Sequence, residues 1–216
     1  MSGLYVYALV GQAVPAVTIA GHRIECVESD AGYAAVTRLK APPPVTEETL
    51  RRQHDVVADL VDRVESLLPA RFGAFMDRAE LLTVLGARRE AIREALALVR
   101  NRRQMTLRLF EPGAPAPGGP AGRAASSGAA YLEARRAAAA IPAALRAAGD
   151  ALGPLVRAER AGTARGKASA TLYHLIDRDA GDRYAWELAA FLSRSPAAIA
   201  ASGPWPPFAF APDLWA

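Results

Sequence analysis

The first forty residues show the short apolar runs and turn signals of β-structure. Residues 4–10, LYVYALV, are aromatic and β-branched and end at Gly11, as expected for a buried strand. Two further segments, HRIECVES and YAAVTRL, flank the sequence Asp-Ala-Gly at residues 30–32. Because these turn residues favour tight reversals, the pattern predicts a β-hairpin.

After the APPP segment the periodicity of the apolar residues changes to that of a helix. Thr46 is a good N-cap, and Glu47 and Glu48 follow in the first turn, where acidic residues complement the helix dipole. Apolar residues recur at helical spacing from Leu50 to Leu68, so we predict a helix that stops at Pro69. A second helix is predicted over residues 87–100.

From Met105 onward the pattern predicts the order βαββαβ. The strand MTLRLF is followed by a Pro/Gly-rich variable loop at residues 112–125, a helix from residue 129, two strands, a second helix and a short last strand. This order is typical of a ferredoxin-like sheet with two helices on one face. We therefore predict an α+β protein with an N-terminal α+β domain at residues 1–104 and a C-terminal domain at residues 105–216.

Composition and charge narrow the class of protein. A chain of 216 residues that is 51% hydrophobic can bury a sizeable core, and its net charge of +4 is too small to indicate nucleic-acid binding by itself. The single cysteine, Cys26, excludes an internal disulfide. The apolar N-terminus has no Lys or Arg before it and is interrupted by Gly11, Gln12 and Pro15, which argues against a signal peptide and for a cytoplasmic protein without a membrane span.

No motif in the sequence indicates catalytic, cofactor-binding or metal-binding residues. Residues 162–169, GTARGKAS, depart from the phosphate-binding loop in glycine spacing and lack its metal-binding hydroxyl, so they favour a hairpin turn. The three histidines are far apart, and no serine lies in a nucleophile elbow. One alternative is a ferredoxin-like enzyme or small-ligand-binding protein that uses Tyr173 and His174. Another is an RNA-binding protein, although Tyr173 alone remains of the expected stacking aromatic residues.

Two segments combine residue types that a simple connection between secondary-structure elements would not require. Residues 67–76, LLPARFGAFM, combine a proline, an arginine, a glycine and two phenylalanines directly after the first predicted helix. Residues 203–210, GPWPPFAF, are stiff and apolar and cannot continue a helix or form a central strand. Although Pro204 and Pro207 match a P-x-x-P ligand, the aromatic rings would bury more area against the protein itself.

At these two segments the chain resembles the gas vesicle protein F/L family. The residues that carry the likeness are GLYVY at 3–7, LLPARFGAF at 67–75, SGAAYLEARR at 127–136 and, most specifically, SGPWPPFAF at 202–210. The resemblance covers nearly the whole chain, with mild departures at Ala74 and Ala209. It implies two α+β domains, the second of modified ferredoxin type. It also implies a non-enzymatic role in forming gas vesicles, the hollow protein shells that give microbes buoyancy.

The resemblance further implies binding to the small, very hydrophobic main shell protein and to other gas vesicle accessory proteins, with no cofactor and no nucleic acid. We expect the terminal segment to fold back onto the protein with Trp205 and Phe208 as its anchors and to join the segment at residues 67–76 in one patch. This patch is either a structural contact or a partner site. The candidate protein-interaction residues are Arg71, Phe72, Phe75, Trp205, Pro206, Pro207 and Phe208. The final strand, as an open edge of the second sheet, is an alternative binding site.

Overall fold

The computed structural model describes residues 3–110, 141–163, 168–195 and 197–214. Within these ranges the chain is an α+β protein with two β-sheets and five α-helices. Its contacts form two compact units. The first unit contains the chain up to Arg103 together with the segment from Trp205 onward, and the second contains Gln104–Pro204.

The sheet of the first unit is built around strand β1. Its strands are β1 (Gly3–Val10), β2 (Val17–Ile19), β3 (His22–Ser29), β4 (Gly32–Leu39), β5 (Leu67–Pro69) and β6 (Phe75–Met76). The order is β2-β3-β4-β1-β5, and β6 also pairs with β1. Strands β3 and β4 are antiparallel, with Ser29 opposite Gly32 at the turn. The predicted hairpin is confirmed.

Three helices belong to the first unit: α1 (Glu47–Arg63), α2 (Arg78–Ala87) and α3 (Arg89–Leu98). Thr46 caps α1 as predicted, and its side chain accepts a hydrogen bond from the Thr49 amide. The predicted continuation of this helix to Leu68 is wrong, because the chain becomes extended at Val64. Leu67 and Leu68 instead pair with β1 and are buried. An apolar run that continues the helical spacing thus belongs to a strand.

The core of the first unit lies between the sheet and α1. Strand β1 is buried along nearly its whole length, and α1 contributes the buried side chains of Val56, Val57, Leu60 and Val61 to the same cluster. Each buried aliphatic side chain stabilises the fold by about 1.5–3 kcal/mol. The strand that carries the sequence LYVYALV is therefore the centre of this unit.

The second unit has a four-stranded sheet and two helices among its described residues. Its elements are β7 (Arg102–Leu109, which begins two residues before the unit), α4 (Ala143–Leu152), β8 (Val156–Gly162), β9 (Ala170–Asp177), α5 (Gly181–Arg194) and β10 (Ile199–Trp205). The strand order is β10-β7-β9-β8. The predicted loop at 112–125 and the helix predicted from residue 129 lie outside the described residues.

Both helices of the second unit contribute to one cluster with alternate residues of the sheet. Met105, Leu107 and Leu109 of β7 pack in this cluster with Leu145 of α4 and Tyr184 of α5. Strands β8 and β9, which flank the segment that resembles a phosphate-binding loop, are antiparallel. The predicted turn itself, at residues 164–167, lies outside the described residues.

Strand β10 lies at the edge of its sheet, where the proline of the terminal motif is tolerated. Gly203 has φ +127°, and a Cβ at this position would lie 2.7 Å from the Gln104 carbonyl oxygen. The motif therefore requires glycine before Pro204. The predicted second domain includes the segment from Trp205 onward, and by contacts this segment groups with the first unit. The division into domains at residues 1–104 and 105–216 remains a prediction.

Candidate protein-interaction surface

The segment at residues 67–76 forms an interrupted edge strand along β1. Strand β5 pairs with Ala8 to Val10, and β6 pairs with Leu4 and Tyr5. Between them, Ala70 donates to the Tyr7 carbonyl at 2.9 Å, and the Ala74 carbonyl accepts from Val6 at 2.8 Å. Because two residues of β1 face the five residues 70–74, the chain bulges outward at Arg71, Phe72 and Gly73. We call residues 70–74 the edge loop.

A buried polar network holds the edge loop. The Tyr5 hydroxyl donates to the side-chain oxygen of Gln53, whose amide nitrogen donates to the Ala70 carbonyl at 3.0 Å. The Gly73 amide donates to the Tyr5 hydroxyl at 3.4 Å. Burial raises the pKa of Tyr5, and the Gly73 amide partly offsets this effect. The loop is thus tied at both ends to β1 and α1.

The terminal segment, residues 205–214, runs along the first unit, and we call it the tail. The Trp205 ring makes an edge contact with the His54 ring of α1, with centroids 5.8 Å apart. Residues Phe208–Phe210 form a 3-10 turn that contacts β5. Beyond the turn, Arg71 donates to the Asp213 carboxylate at 3.2 Å. The tail therefore reaches from α1 to the edge loop.

The structure brings the two candidate segments together but changes the expected anchors. Trp205 and Phe208 are 39% and 42% exposed. The buried residues of the tail are Pro206, Pro207 and Phe210. The expectation that Trp205 and Phe208 are the buried anchors is wrong, because the tight 3-10 turn directs Phe210 inward and leaves Phe208 exposed.

The edge loop also borders a groove of about 450 Å³. Its residues include Phe72, Phe75 and Met76 from the loop region, Glu80 and Val84 from α2, and Leu214 from the tail. Phe72 and Phe75 are half-buried, and the Phe72 ring makes an edge contact with Tyr5. The groove combines apolar side chains with Arg71 and Glu80, a composition that suits contact with another protein.

Sequence reasoning missed Asp213 and Leu214. One signal was available for Asp213: it is the only charged residue in the segment 203–214, and Arg71 is the only one in the segment 67–76. These two opposite charges form the ion pair that joins the segments. No sequence pattern marks Gln53, which lies among the apolar positions of a helix and is buried.

The candidates for catalytic chemistry lie elsewhere, in the second unit. His174 is fully buried, with Nδ1 2.7 Å from the Tyr184 hydroxyl and Nε2 3.0 Å from a Glu159 carboxylate oxygen. Burial lowers the pKa of His174 and outweighs the opposing effect of Glu159. A neutral ring that donates from Nε2 and accepts at Nδ1 satisfies all three groups. Tyr173 is half-buried, and its ring lies against Gly162 across the strand pair.

Among the described residues, no cluster of three or more His, Cys, Asp or Glu side chains is arranged to hold a metal ion. No helix in the described ranges has the length and apolar character needed to cross a membrane.

Comparison with solved structures shows the same fold in two gas vesicle proteins. The crystal structure of GvpF from Anabaena sp. PCC7120 matches with a TM-score of 0.72 at 14% identity, covering 98% of this chain and 99% of that chain. GvpF from Microcystis aeruginosa matches with a TM-score of 0.73 at 13% identity, covering 98% of this chain and 100% of that chain. A search of curated proteins finds no match.

The family model for the gas vesicle synthesis protein GvpL/GvpF matches residues 3–212. This range includes the edge loop and nearly all of the tail. It also includes the strand β1 that supports the loop. The chain therefore belongs to the GvpL/GvpF family of gas vesicle synthesis proteins.

Proposed function

We propose that this protein is a cytoplasmic assembly factor or minor structural component of gas vesicles that binds the hydrophobic main shell protein and other vesicle accessory proteins. It has no catalytic activity of its own in this proposal. The observation that carries the proposal is the pairing of the two aromatic segments, joined by Arg71 and Asp213 in one unit.

The physical need for such a factor follows from the partner. A shell protein with a large apolar surface aggregates before assembly unless another protein covers that surface. A binding protein for this partner needs exposed aromatic side chains held in fixed positions, because fixed side chains lose little conformational entropy on binding.

The edge loop and tail meet this requirement. Trp205 and Phe208 are partly exposed, and the buried Pro206 and Pro207 restrict the chain between them. On the loop, Phe72 and Phe75 are half-buried beside the groove. We propose that Arg71, Phe72, Phe75, Trp205 and Phe208 contact the partner, and that Pro206 and Pro207 position the tail.

We also infer that the second unit is a modified ferredoxin-like domain. Numbered within the unit, its strands follow the spatial order 4-1-3-2, and its described helices come after the first and third strands in sequence. This order supports the split βαβ arrangement that the sequence predicts.

The binding proposal is tested by co-expressing the tagged protein with the main shell protein and measuring the shell protein recovered in a pull-down. The double variant Trp205→Ala/Phe208→Ala is expected to recover at least about tenfold less shell protein, since aromatic hot-spot residues typically contribute 2 kcal/mol or more. Trp186→Ala is the matched control, because Trp186 is also exposed, at 67%, but belongs to the second unit.

Thermal unfolding separates a binding defect from a folding defect in these variants. We expect both to keep near-wild-type melting temperatures, because the substituted side chains are partly exposed. Equal recovery by the wild-type protein and the double variant would contradict the proposed surface. The same conclusion would follow if Trp186→Ala lost as much binding as the double variant.

A further inference from the structure

A second concave site in the first unit is lined in part by Tyr5 and Gln53, the residues that also contact the edge loop. Its volume is about 390 Å³, at the lower end of the range typical of small-molecule sites. Leu39, Ala41 and the prolines at 42–44 form an apolar wall. The rest of the pocket lining includes polar residues: Tyr7, His22, Lys40, Thr49 and Arg52.

The hydroxyl of Tyr7 is an unused hydrogen-bond donor in this pocket. Tyr7 is only 2% exposed, and no described residue forms a hydrogen bond with its hydroxyl. The neighbouring Tyr5 hydroxyl, by contrast, is bonded to Gln53. Tyr7 also lies at a register shift between Val6 and Ala8, an irregularity that commonly redirects a side chain near a functional site. Because no described residue occupies this hydroxyl, it can donate to a bound ligand without breaking a hydrogen bond within the protein.

The charged residues that line the pocket are all basic. Arg52 and Lys40 line it, and no residue that lines it is acidic. Nη1 of Arg52 lies 3.3 Å from His22 Nε2, while its other terminal nitrogen pairs with Glu48 outside the pocket. Burial raises the pKa of Tyr7 to about 12 despite the opposing effect of Arg52, so the phenol keeps its proton. The pocket thus offers a neutral donor and a fixed cation within one small volume.

We propose that this pocket binds a small organic carboxylate, with the anion on Arg52 and the Tyr7 hydroxyl and the apolar body against Leu39 and residues 42–44. An Arg guanidinium and a hydroxyl donor suit a carboxylate, and the proline and leucine wall suits a compact aromatic or branched group. This site goes beyond the binding of the shell protein and does not depend on it. The same chemistry is present in a free small acid and in the C-terminal carboxylate of a peptide.

The test is calorimetric titration of the purified full chain with four probes. Benzoate represents the free acid, and benzyl alcohol is its neutral analogue. Acetyl-Ala-Phe with a free carboxylate represents a peptide terminus, and its C-terminal amide is the neutral analogue. We expect benzoate or the free-carboxylate peptide to bind at least about tenfold more tightly than its neutral analogue, as expected for a hydrogen-bonded charge.

Two substitutions assign the binding to the pocket. Arg52→Gln is expected to weaken carboxylate binding about tenfold or more, and Tyr7→Phe several-fold, without loss of fold because the hydroxyl has no protein partner. Arg51→Gln is the matched control. Arg51 is adjacent on α1 and pairs with Glu47 at the same spacing, but it does not line the pocket.

The results distinguish the two sources and can overturn the proposal. Tighter binding of the peptide than of benzoate identifies a chain terminus, and the reverse identifies a free acid. The proposal is wrong if none of the probes binds or if the neutral analogues bind equally well. It is also wrong if Arg51→Gln weakens binding as much as Arg52→Gln.

Discussion

Each unit of the protein contains a buried tyrosine in a polar network, but the two networks end on different groups. In the first unit, Tyr5 and Gln53 end on main-chain atoms of the edge loop, Ala70 O and Gly73 N. In the second unit, Tyr184 and His174 end on the carboxylate of Glu159, whose side chain is 41% exposed. Only the first network supports the backbone of a surface that is proposed to bind a partner.

The first network fixes the shape of a surface loop, whereas the second stabilises the core of its unit. Gln53 and Tyr5 have no charge at neutral pH, so the network under the edge loop does not respond to moderate changes of pH. The His174 network contains an imidazole whose pKa burial lowers, and it connects α5 to strands β8 and β9. Substitutions in the two networks are therefore expected to have different consequences for binding.

The largest effect is expected for Gln53→Leu. This change leaves the Tyr5 hydroxyl and the Ala70 carbonyl buried without their partner, which costs about 3 kcal/mol of unfolding free energy. Denaturant titration measures this loss, and hydrogen exchange of residues 67–76 is expected to increase. A stability loss below about 1 kcal/mol, with unchanged exchange, would show that the network does not hold the loop.

Removal of the corresponding ring in the second unit is expected to cost less. His174→Phe leaves the buried Tyr184 hydroxyl unpaired, whereas Glu159 can turn to water, so we expect a loss of about 2 kcal/mol. Capture of the shell protein per folded molecule is expected to remain unchanged. If this variant lost binding while Gln53→Leu kept it, the assignment of the surface to the first unit would be reversed.

The pH dependence of stability is expected to distinguish the networks further. Because burial lowers the pKa of His174 in the folded state, the unfolded chain takes up a proton more readily, and stability falls as the pH drops below about 6.5. His22 contributes in the same direction, because burial and then Arg52 lower its pKa. Denaturant titrations at pH 7.5 and 5.5 should show a smaller loss for His174→Phe than for wild type. An identical loss would argue against the buried neutral ring.

The smallest effect on stability is expected for Arg71→Ala. Arg71 and Asp213 are an exposed pair, and such pairs contribute about 0–1 kcal/mol. Shell-protein capture is nevertheless expected to decrease, since the pair joins the tail to the edge loop. Arg100→Ala, which removes an exposed pair with Glu65 in the same unit, is the control. If both variants captured the same amount of shell protein, the ion pair of Arg71 would have no specific role in binding.

Much of the fold could be predicted from local patterns in the sequence. The hairpin, the Thr46 cap and the strands and helices around Leu107, His174 and Leu188 follow from periodicity and turn chemistry. The end of α1 could not be predicted, because Leu67 and Leu68 fit the helical spacing and only their pairing with β1 makes them a strand. Long-range pairing decides such a segment, and local propensity does not.

The candidate surface was only partly predictable, for a similar reason. The unusual composition of the two segments indicated that they matter, whereas the ion pair of Arg71 and Asp213 that joins them was not predicted. Which aromatic residues face solvent depends on the 3-10 turn at Phe208, and this turn packs against a strand more than a hundred residues earlier in the sequence. The role of Gln53 likewise depends on the loop that it supports.

The most direct test of the proposed surface is photocrosslinking in cells that express the complete set of vesicle proteins. A photoreactive phenylalanine is placed at Phe208 or, as a control, at Trp186, and crosslinked partners are identified by mass spectrometry. We expect crosslinks to the main shell protein from position 208 and none from position 186. Crosslinks to the shell protein from position 186 alone would contradict it.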